Sequence, residues 1–318
     1  MQFELQQLRQ VIALAEHGSF VRAAAALHLS QPALSRSIAG LEQRFGSPLF
    51  ERRKSGVEAT DLGRLFVERA RDVLRLADQL EHEAVSEGQL RSGRVAVGGG
   101  PFPAEAVLAP AIARFAELHP GVQVRLSAQN WDVLARQLRA RELDFFIAET
   151  STLQHDPDLE VSPLGAAHPV HFFARAGHPL AGSGPRSAAE VLQWPLVSPS
   201  RVPPRLLDPM LAAQRESARR SGALIPFPAV ECNAMAPAKR IVAESNVVGA
   251  SILNCIAREL ESGEFVLLGR EPWMHLQYGI VKLTRRTLTA AAERLREVVL
   301  EAERAAIVEA GRLERLGR

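Results

Sequence analysis

The chain has 318 residues, enough for two or three domains, each with a core of its own. Apolar residues make up 47% and charged residues 23%, the balance of a soluble globular protein, and no run of about 18 apolar residues offers a helical membrane span. Net charge is +2, and residues 1–90 hold 11 Lys/Arg against 12 Asp/Glu, so any grip on nucleic acid must come from locally placed charge.

Taken in order, Leu5, Leu8, Val11, Ile12 and Ala15 fall on one face of a first helix that Gly18 ends. Ser19 is a candidate N-cap for a second helix, with Phe20, Ala23, Ala24 and Leu27 at helical spacing. His28 and Leu29 make a turn, and Ser30 caps a third helix. Its first turn tolerates Pro32 because the amide that proline lacks would have no intrahelical partner. Leu34, Ile38, Leu41 and Phe45 form the apolar stripe of that helix, while Gln31, Ser35 and Arg36 lie off it. A helix-turn-helix needs this division: the stripe packs inward and the N-terminal polar residues face base edges. An ordinary helical hairpin with a solvated polar face is the alternative.

Gly46-Ser47-Pro48 then breaks the pattern. Residues 49–60 have apolar anchors around a basic tip, Arg52-Arg53-Lys54, and Gly56, as a β-wing near phosphates would. Thr60 is the expected N-cap of a long helix reaching about Glu87, with Asp61 placed favourably against its dipole. Leu62, Phe66, Val73, Leu76 and Leu80 repeat in a heptad fashion. The helix either dimerises with a twin or packs on its own domain. Gly88 to Gly93 reads as a hinge.

Beyond it, short strands alternate with helices. Strands are expected at Arg94–Gly98, Val122–Leu126, Phe145–Ile147, Val170–Ala174, Leu196-Val197, Pro226–Glu231, Val247–Leu253, Phe265–Leu268 and Tyr278–Leu283. Helices are expected through Leu108, Ile112 and Phe115, at Val133–Arg139, around Ala238–Ala243, and from a Thr287 cap to about Leu316. Such alternation predicts βαβ units and a parallel sheet.

The chain resembles the LysR-type transcriptional regulators over nearly its whole length. The specific part is Phe20-x2-Ala23-Ala24-x2-Leu27-x2-Ser30-Gln31-Pro32-Ala33-Leu34-Ser35-x2-Ile38-x2-Leu41-Glu42, then Gly46-x2-Leu49-Phe50-x-Arg52 and Thr60-x2-Gly63. Glu142-Leu143-Asp144 and the glycine-centred Val247–Leu253 add a weaker C-terminal match. The resemblance implies a multidomain chain: an all-α winged helix-turn-helix domain, then an α/β effector domain of two Rossmann-like subdomains of the type 2 periplasmic-binding-protein kind. The expected boundaries are 1–59 for the DNA-binding domain, 60–92 for the linker helix and hinge, and 93–318 for the effector domain. Subdomain I covers about 93–163 and 270–318, and subdomain II about 164–269.

Carried over by motif position, Arg22, Ser30, Gln31, Pro32, Ser35 and Arg36 would meet double-stranded promoter DNA, with Arg52 and Arg53 at the wing. Gln can contact adenine in bidentate fashion, Arg can contact guanine likewise, and Ser suits base edges or phosphates. A homodimer, paired into a dimer of dimers, would read an interrupted palindrome. A small effector should lie in the crevice outside the carboxyl ends of the strands. That selects Gly99, Gly100 and Pro101, Ala128 and Gln129, Ser198 and Ser200, Asn233, and Gly249. Hydroxyls and helix N-terminal amides suit a carboxylate, although glycines stand here where many relatives place Ser or Thr.

The rival classes leave weaker traces. No Gly-x-Ser-x-Gly elbow, Walker lysine loop or His-Glu-x-x-His occurs, so neither catalysis nor a cofactor is expected. His168, His171 and His178 fit no usual zinc spacing and read as surface or loop histidines, and Cys232 and Cys255 make no metal pair. A solute-binding protein would suit the second half but not the DNA-reading head. MQFELQQLRQ lacks the character of a secretory signal, so the cytoplasm is the expected location.

Overall fold

Helix-favouring residues with glycine stops build the first unit of a chain that divides into two compact units, Met1–Gln89 and Leu90–Arg318. The structure is a computed structural model describing residues 4–53, 56–85, 92–182 and 184–316. Helix α1 spans Leu5–His17, α2 Phe20–Ala26 and α3 Gln31–Phe45. Gly18 closes α1 at φ 59°, and Gly46 closes α3 at φ 66°. Both are left-handed caps that glycine adopts without steric cost. Ser30 accepts the Ala33 amide at 3.4 Å and so caps α3. Ser19 holds the cap position of α2, but its side chain makes no capping bond, so the expected cap is positional only.

Val11, Leu14, Ala23, Ala24, Leu34, Ile38, Leu41 and Leu49 form one core. The wing is hung from α3 by Glu42, whose carboxylate accepts the Leu49 and Phe50 amides at 2.8 and 3.1 Å. Strands β1, Phe50–Arg53, and β2, Gly56–Ala59, pair antiparallel. Lys54 and Ser55, which join them, lie outside the described residues, as do the side chains of Arg52 and Arg53.

Helix α4, Asp61–Val85, starts where expected, with Thr60 Oγ1 accepting the Gly63 amide at 3.0 Å. Its Val67 and Ala70 are buried, and Phe66 meets Phe45 edge-on at 5.2 Å, so one face packs on its own unit. Leu62, Leu65 and Val73 remain 38%, 50% and 37% exposed. The side chains of Leu76 and Leu80, and the expected hinge except its last two residues, lie outside the described residues.

The second unit runs β3 (Gly93–Gly99), α5 (Pro101–Pro103), a π-helical turn (Ala104–Leu108), α6 (Ala109–Leu118), β4 (Val122–Ala128), α7 (Trp131–Arg139), β5 (Phe145–Glu149) and β6 (Leu159–Arg175). Then come α8 (Ala188–Val191), β7 (Leu196–Ser198), α9 (Pro204–Ser221), β8 (Val230–Glu231), α10 (Met235–Glu244), β9 (Val248–Ile252), α11 (Ala257–Glu261), β10 (Phe265–Gly269), β11 (His275–Leu283) and α12 (Ala290–Leu316).

The sheet is mixed, not parallel. β3 runs parallel to β4 and β5, and β7 parallel to β8 and β9. β11 is antiparallel to β5 and β6, and β6 antiparallel to β9 and β10. The reason lies in the connections: β6 and β11 carry the chain between two halves instead of returning through a helical crossover. Residues 159–169 of β6 pair with β11 in one half, and residues 170–175 pair with β9 and β10 in the other. The run expected as Val170–Ala174 is thus the end of a 17-residue strand.

Three further expectations change. The strand expected at Pro226–Glu231 shrinks to Val230–Glu231, since Pro226 and Pro228 offer no ladder donor. Helix α9 gave little apolar signal because only Leu206, Met210 and Ser217 are buried and Pro209 interrupts it. The last helix is capped by Thr289, whose Oγ1 accepts the Ala292 amide at 3.2 Å, rather than by Thr287.

The histidines also differ from expectation. His168, His171 and His178 are 2%, 6% and 3% exposed, because β6 crosses the core under α12 and the turn after it is packed down. His168 meets Glu303 of α12 at 2.6 Å. His178 is fixed by the Asn246 carbonyl and the Leu180 amide. Asp144 accepts the Ala96 amide at 2.9 Å and is paired with buried Arg286, which gives the Glu142-Leu143-Asp144 segment its structural place.

Candidate nucleic-acid interface and effector cleft

On α3 the buried stripe leaves the opposite edge to solvent. Gln31, Pro32 and Arg36 are exposed, and Ser35 is half-buried. Ser30, at the cap, and Arg22, on α2, are also exposed. Among the described residues neither Arg22 nor Arg36 makes an ion pair, so both guanidinium groups keep their donors. The α3 N-terminus adds its positive dipole end to the same edge. Arg52 and Arg53 stand in β1, on the hairpin that Glu42 anchors. Gln31, Ser35 and Arg36 thus give α3 a solvent-facing, hydrogen-bonding edge opposite its buried stripe.

The second unit holds a concave site. A recess opens between its halves. Of the residues singled out from sequence, Gly100, Pro101 and Ser200 line it. The others do not. A Cβ added at Gly99 would run into Leu108 and Ala104, and Gly249 lies under the Phe173 ring, where a Cβ would come within 2.3 Å. Both glycines serve packing. Ser198 is buried and donates to the Ser200 carbonyl at 2.6 Å. Gln129 donates its amide to the Gly99 carbonyl at 3.0 Å, and Ala128 is exposed at the end of β4. Asn233 is exposed and accepts from Asn130 at 3.4 Å.

Residues not foreseen complete the recess. Phe102, Trp131, Leu276 and Tyr278 supply its apolar walls, and Glu149 and Arg201 its charge. The Tyr278 side chain is 1% exposed, and its hydroxyl has no hydrogen-bond partner among the described residues. Burial, with Cys255, Glu303 and Glu149 adding to it, pushes the phenol well above its ordinary pKa. Tyr278 is the chain's one tyrosine, and that rarity was the available signal.

The two halves are tied across the cleft. Arg205 of α9 meets Glu149 at 3.1 Å and also bonds the His275 carbonyl. Arg201 reaches Asp132 at 3.4 Å, and its amide donates to Asn130 Oδ1 at 3.0 Å. Lys239 meets Glu105 at 2.9 Å. Each cation at the cleft is thus matched by a carboxylate from the facing half.

Among the described residues no group of His, Cys, Asp and Glu could hold a metal, and no helix is long and apolar enough to cross a membrane.

Comparison with known proteins follows this division. Residues 5–64 match the bacterial regulatory helix-turn-helix protein, lysR family, and residues 88–304 match the LysR substrate binding domain. A relative from a Pseudomonas species, described as an SDS degradation transcriptional activation protein, is 40% identical over 304 residues, covering 94% of this chain and 96% of its own. The solved structure of ArgP from Mycobacterium tuberculosis aligns with TM-score 0.68 at 21% identity, covering 95% of this chain and 98% of that one. CbnR, solved in complex with its target DNA, aligns with TM-score 0.61 at 20% identity over 94% of this chain and 100% of that one. At such identities the two structures speak to fold alone; the domain models and the 40% identical relative together place the chain in the LysR family of transcriptional regulators, with a helix-turn-helix DNA-binding domain and a substrate-binding domain.

Proposed function

We propose that α3 enters the major groove of promoter DNA with its Ser30, Gln31, Pro32, Ser35 and Arg36 edge, while Arg22, Arg52 and Arg53 take phosphates. The supporting observation is the solvated, unpaired edge of a helix whose other face is core. Sequence readout then falls to Gln31 and Arg36, and register to the phosphate contacts. In this reading the functional segments are 1–59, 60–92 and 93–318, and the protein works in the cytoplasm. Exposed Leu62, Leu65 and Val73 give α4 an apolar strip suited to a twin helix, and two dimers pair on DNA.

An effector occupies the recess between the halves, with Gly100, Pro101 and Ser200 in its wall. It acts by preferring one relative setting of the halves over another. The carboxylate class drawn from hydroxyls and helix N-terminal amides is weakened by Pro101 and Pro103, which remove two amide donors from the first turn after β3. Because the 40% identical relative is described by SDS degradation, the target genes proposed here serve breakdown of alkyl surfactants or related esters.

Selection of bound genomic fragments, followed by footprinting of the wild-type protein and Arg36→Ala, tests the DNA reading. A protected interrupted palindrome, weakened by the substitution, is expected. Equal affinity and selectivity in the two proteins would end that reading.

A further inference from the structure

On the reading that the recess is the effector site, we infer that it selects a neutral ligand, an apolar chain or ring carrying a hydroxyl, anchored on the Tyr278 hydroxyl, and that it discriminates against anions with the same apolar body.

The charged groups around the recess are already committed, and one fully buried hydroxyl is not. Glu149 is spent: Oε1 takes Arg205 Nε at 3.1 Å, and Oε2 takes the Ser151 amide at 3.2 Å and hydroxyl at 2.7 Å. Arg205 also donates from Nη2 to the His275 carbonyl. Arg201 is held by Asp132. Of residues 101–103 only Phe102 carries an amide N–H, and the Gly100 amide already donates to the Ile147 carbonyl at 2.9 Å. An anion entering here would lose its hydration, find no uncommitted cation and face the Glu149 carboxylate.

Tyr278 is the exception. It lines the recess, is fully enclosed, and its hydroxyl donates to nothing and accepts from nothing among the described residues. A buried hydroxyl in that state calls for a partner. Burial holds the phenol in its protonated form, so it can donate. A ligand hydroxyl accepts from Tyr278 and has its own proton left to give, and Ser200 stands in the same wall to receive it. The body of the ligand then lies against Phe102, Trp131 and Leu276.

The test uses the full-length protein with three probes of one tail and different heads: n-octanol, octanoate and octyl sulfate. Binding is read by calorimetry and by the change in tryptophan fluorescence, to which Trp131 in the recess wall contributes. Octanol should bind at least roughly tenfold more tightly than either anion, and Tyr278→Phe should weaken octanol by roughly tenfold while leaving the melting temperature in place. Gly100→Leu, at a position where an added Cβ meets only ordinary contacts, should fill the recess and abolish binding. Octanoate or octyl sulfate binding more tightly than octanol, and lost in Gly100→Leu, overturns the ligand class but keeps the effector site. Octanol binding unchanged in both variants overturns the class and the site together. Failure of octanol to bind the wild-type protein overturns the class, and the site is then judged by whether Gly100→Leu alters the effector-dependent footprint.

Discussion

The DNA-reading edge and the cleft are both polar sites on apolar supports, yet they treat charge in opposite ways. Arg22 on α2 and Arg36 on α3 are exposed and, among the described residues, make no ion pair, so a chain of phosphates can claim both. In the cleft Arg201 and Arg205 are each matched by a carboxylate from across the gap, and among the described residues a buried neutral phenol is left without a partner. The first arrangement favours a polyanion whatever its sequence, with specificity added by a few side chains. The second cancels its own field and leaves selection to shape and one hydrogen bond. The difference also separates rigid from adjustable parts: the first unit has one small core, whereas the ties across the cleft are ion pairs that a ligand can trade against its own contacts.

The comparison requires a rigid head, and Gly63 tests that most severely. In a helix, Gly→Ala ordinarily stabilises by about 1 kcal/mol. At Gly63 the added Cβ would stand 2.0 Å from the Leu49 carbonyl oxygen, a backbone atom that the wing cannot move cheaply. Gly63→Ala should therefore destabilise the first unit by about 3 kcal/mol or more, with loss of DNA binding and no change in melting of the second unit. Gly40→Ala, in α3 with nothing within 4 Å of the new Cβ, is the control and should gain up to about 1 kcal/mol. Calorimetric scanning of both variants decides the matter; equal effects would mean that Gly63 is not a packing point.

Next in size is the edge itself. Arg36→Ala should cost about 1–3 kcal/mol in affinity for the native site and relax preference at one base position. Arg22→Ala should weaken all sequences alike and lower the salt dependence of binding. Titrations at several salt concentrations separate these outcomes. A uniform loss for both variants would reduce α3 to a phosphate clamp.

How legible each site was follows from how local it is. The head is written in consecutive turns, because the periodicity of residues 20–45 fixes the stripe and thereby the edge opposite it. Even Gly63 and Glu42 stood in the motif, although their reasons, a carbonyl at close approach and two captured amides, needed coordinates. The cleft draws on residues from Gly100 to Tyr278. Gly100, Pro101 and Ser200 followed from the rule about strand ends. Arg205 did not, because α9 buries too few residues to announce itself, and Tyr278 lies inside β11 rather than after it. The mixed sheet was hidden for a related reason: local pattern shows that β6 and β11 are strands, not which way their neighbours run.

Charge balance at the cleft can be broken directly. Glu149→Gln removes the partner of Arg205 and leaves the carboxyl-shaped side chain in place. The freed guanidinium should then accept an anionic head group, so octanoate binding should improve by roughly tenfold relative to octanol, with a stability loss of about 1–3 kcal/mol in the second unit. An unchanged preference order would show that the ion pair does not set the selectivity.

The smallest effect expected concerns acid. His171, on β6, has its pKa lowered by burial and by Arg270; Glu314 and a backbone bond at Pro169 act the other way without reversing it. His178 is lowered likewise by burial, with the Asn246 carbonyl opposing and Arg175 assisting. A lowered folded value means that the unfolded chain takes up protons first as pH falls. These histidines therefore contribute fully above the unfolded value, about 6.5, and their contribution is lost as pH drops toward the folded values. Melting of the second unit should accordingly weaken on the acid side of neutrality, and His171→Gln should flatten that limb even if it lowers stability at every pH. A variant that kept the full acid limb would move the proton uptake elsewhere and leave burial under α12 without consequence for the pH response.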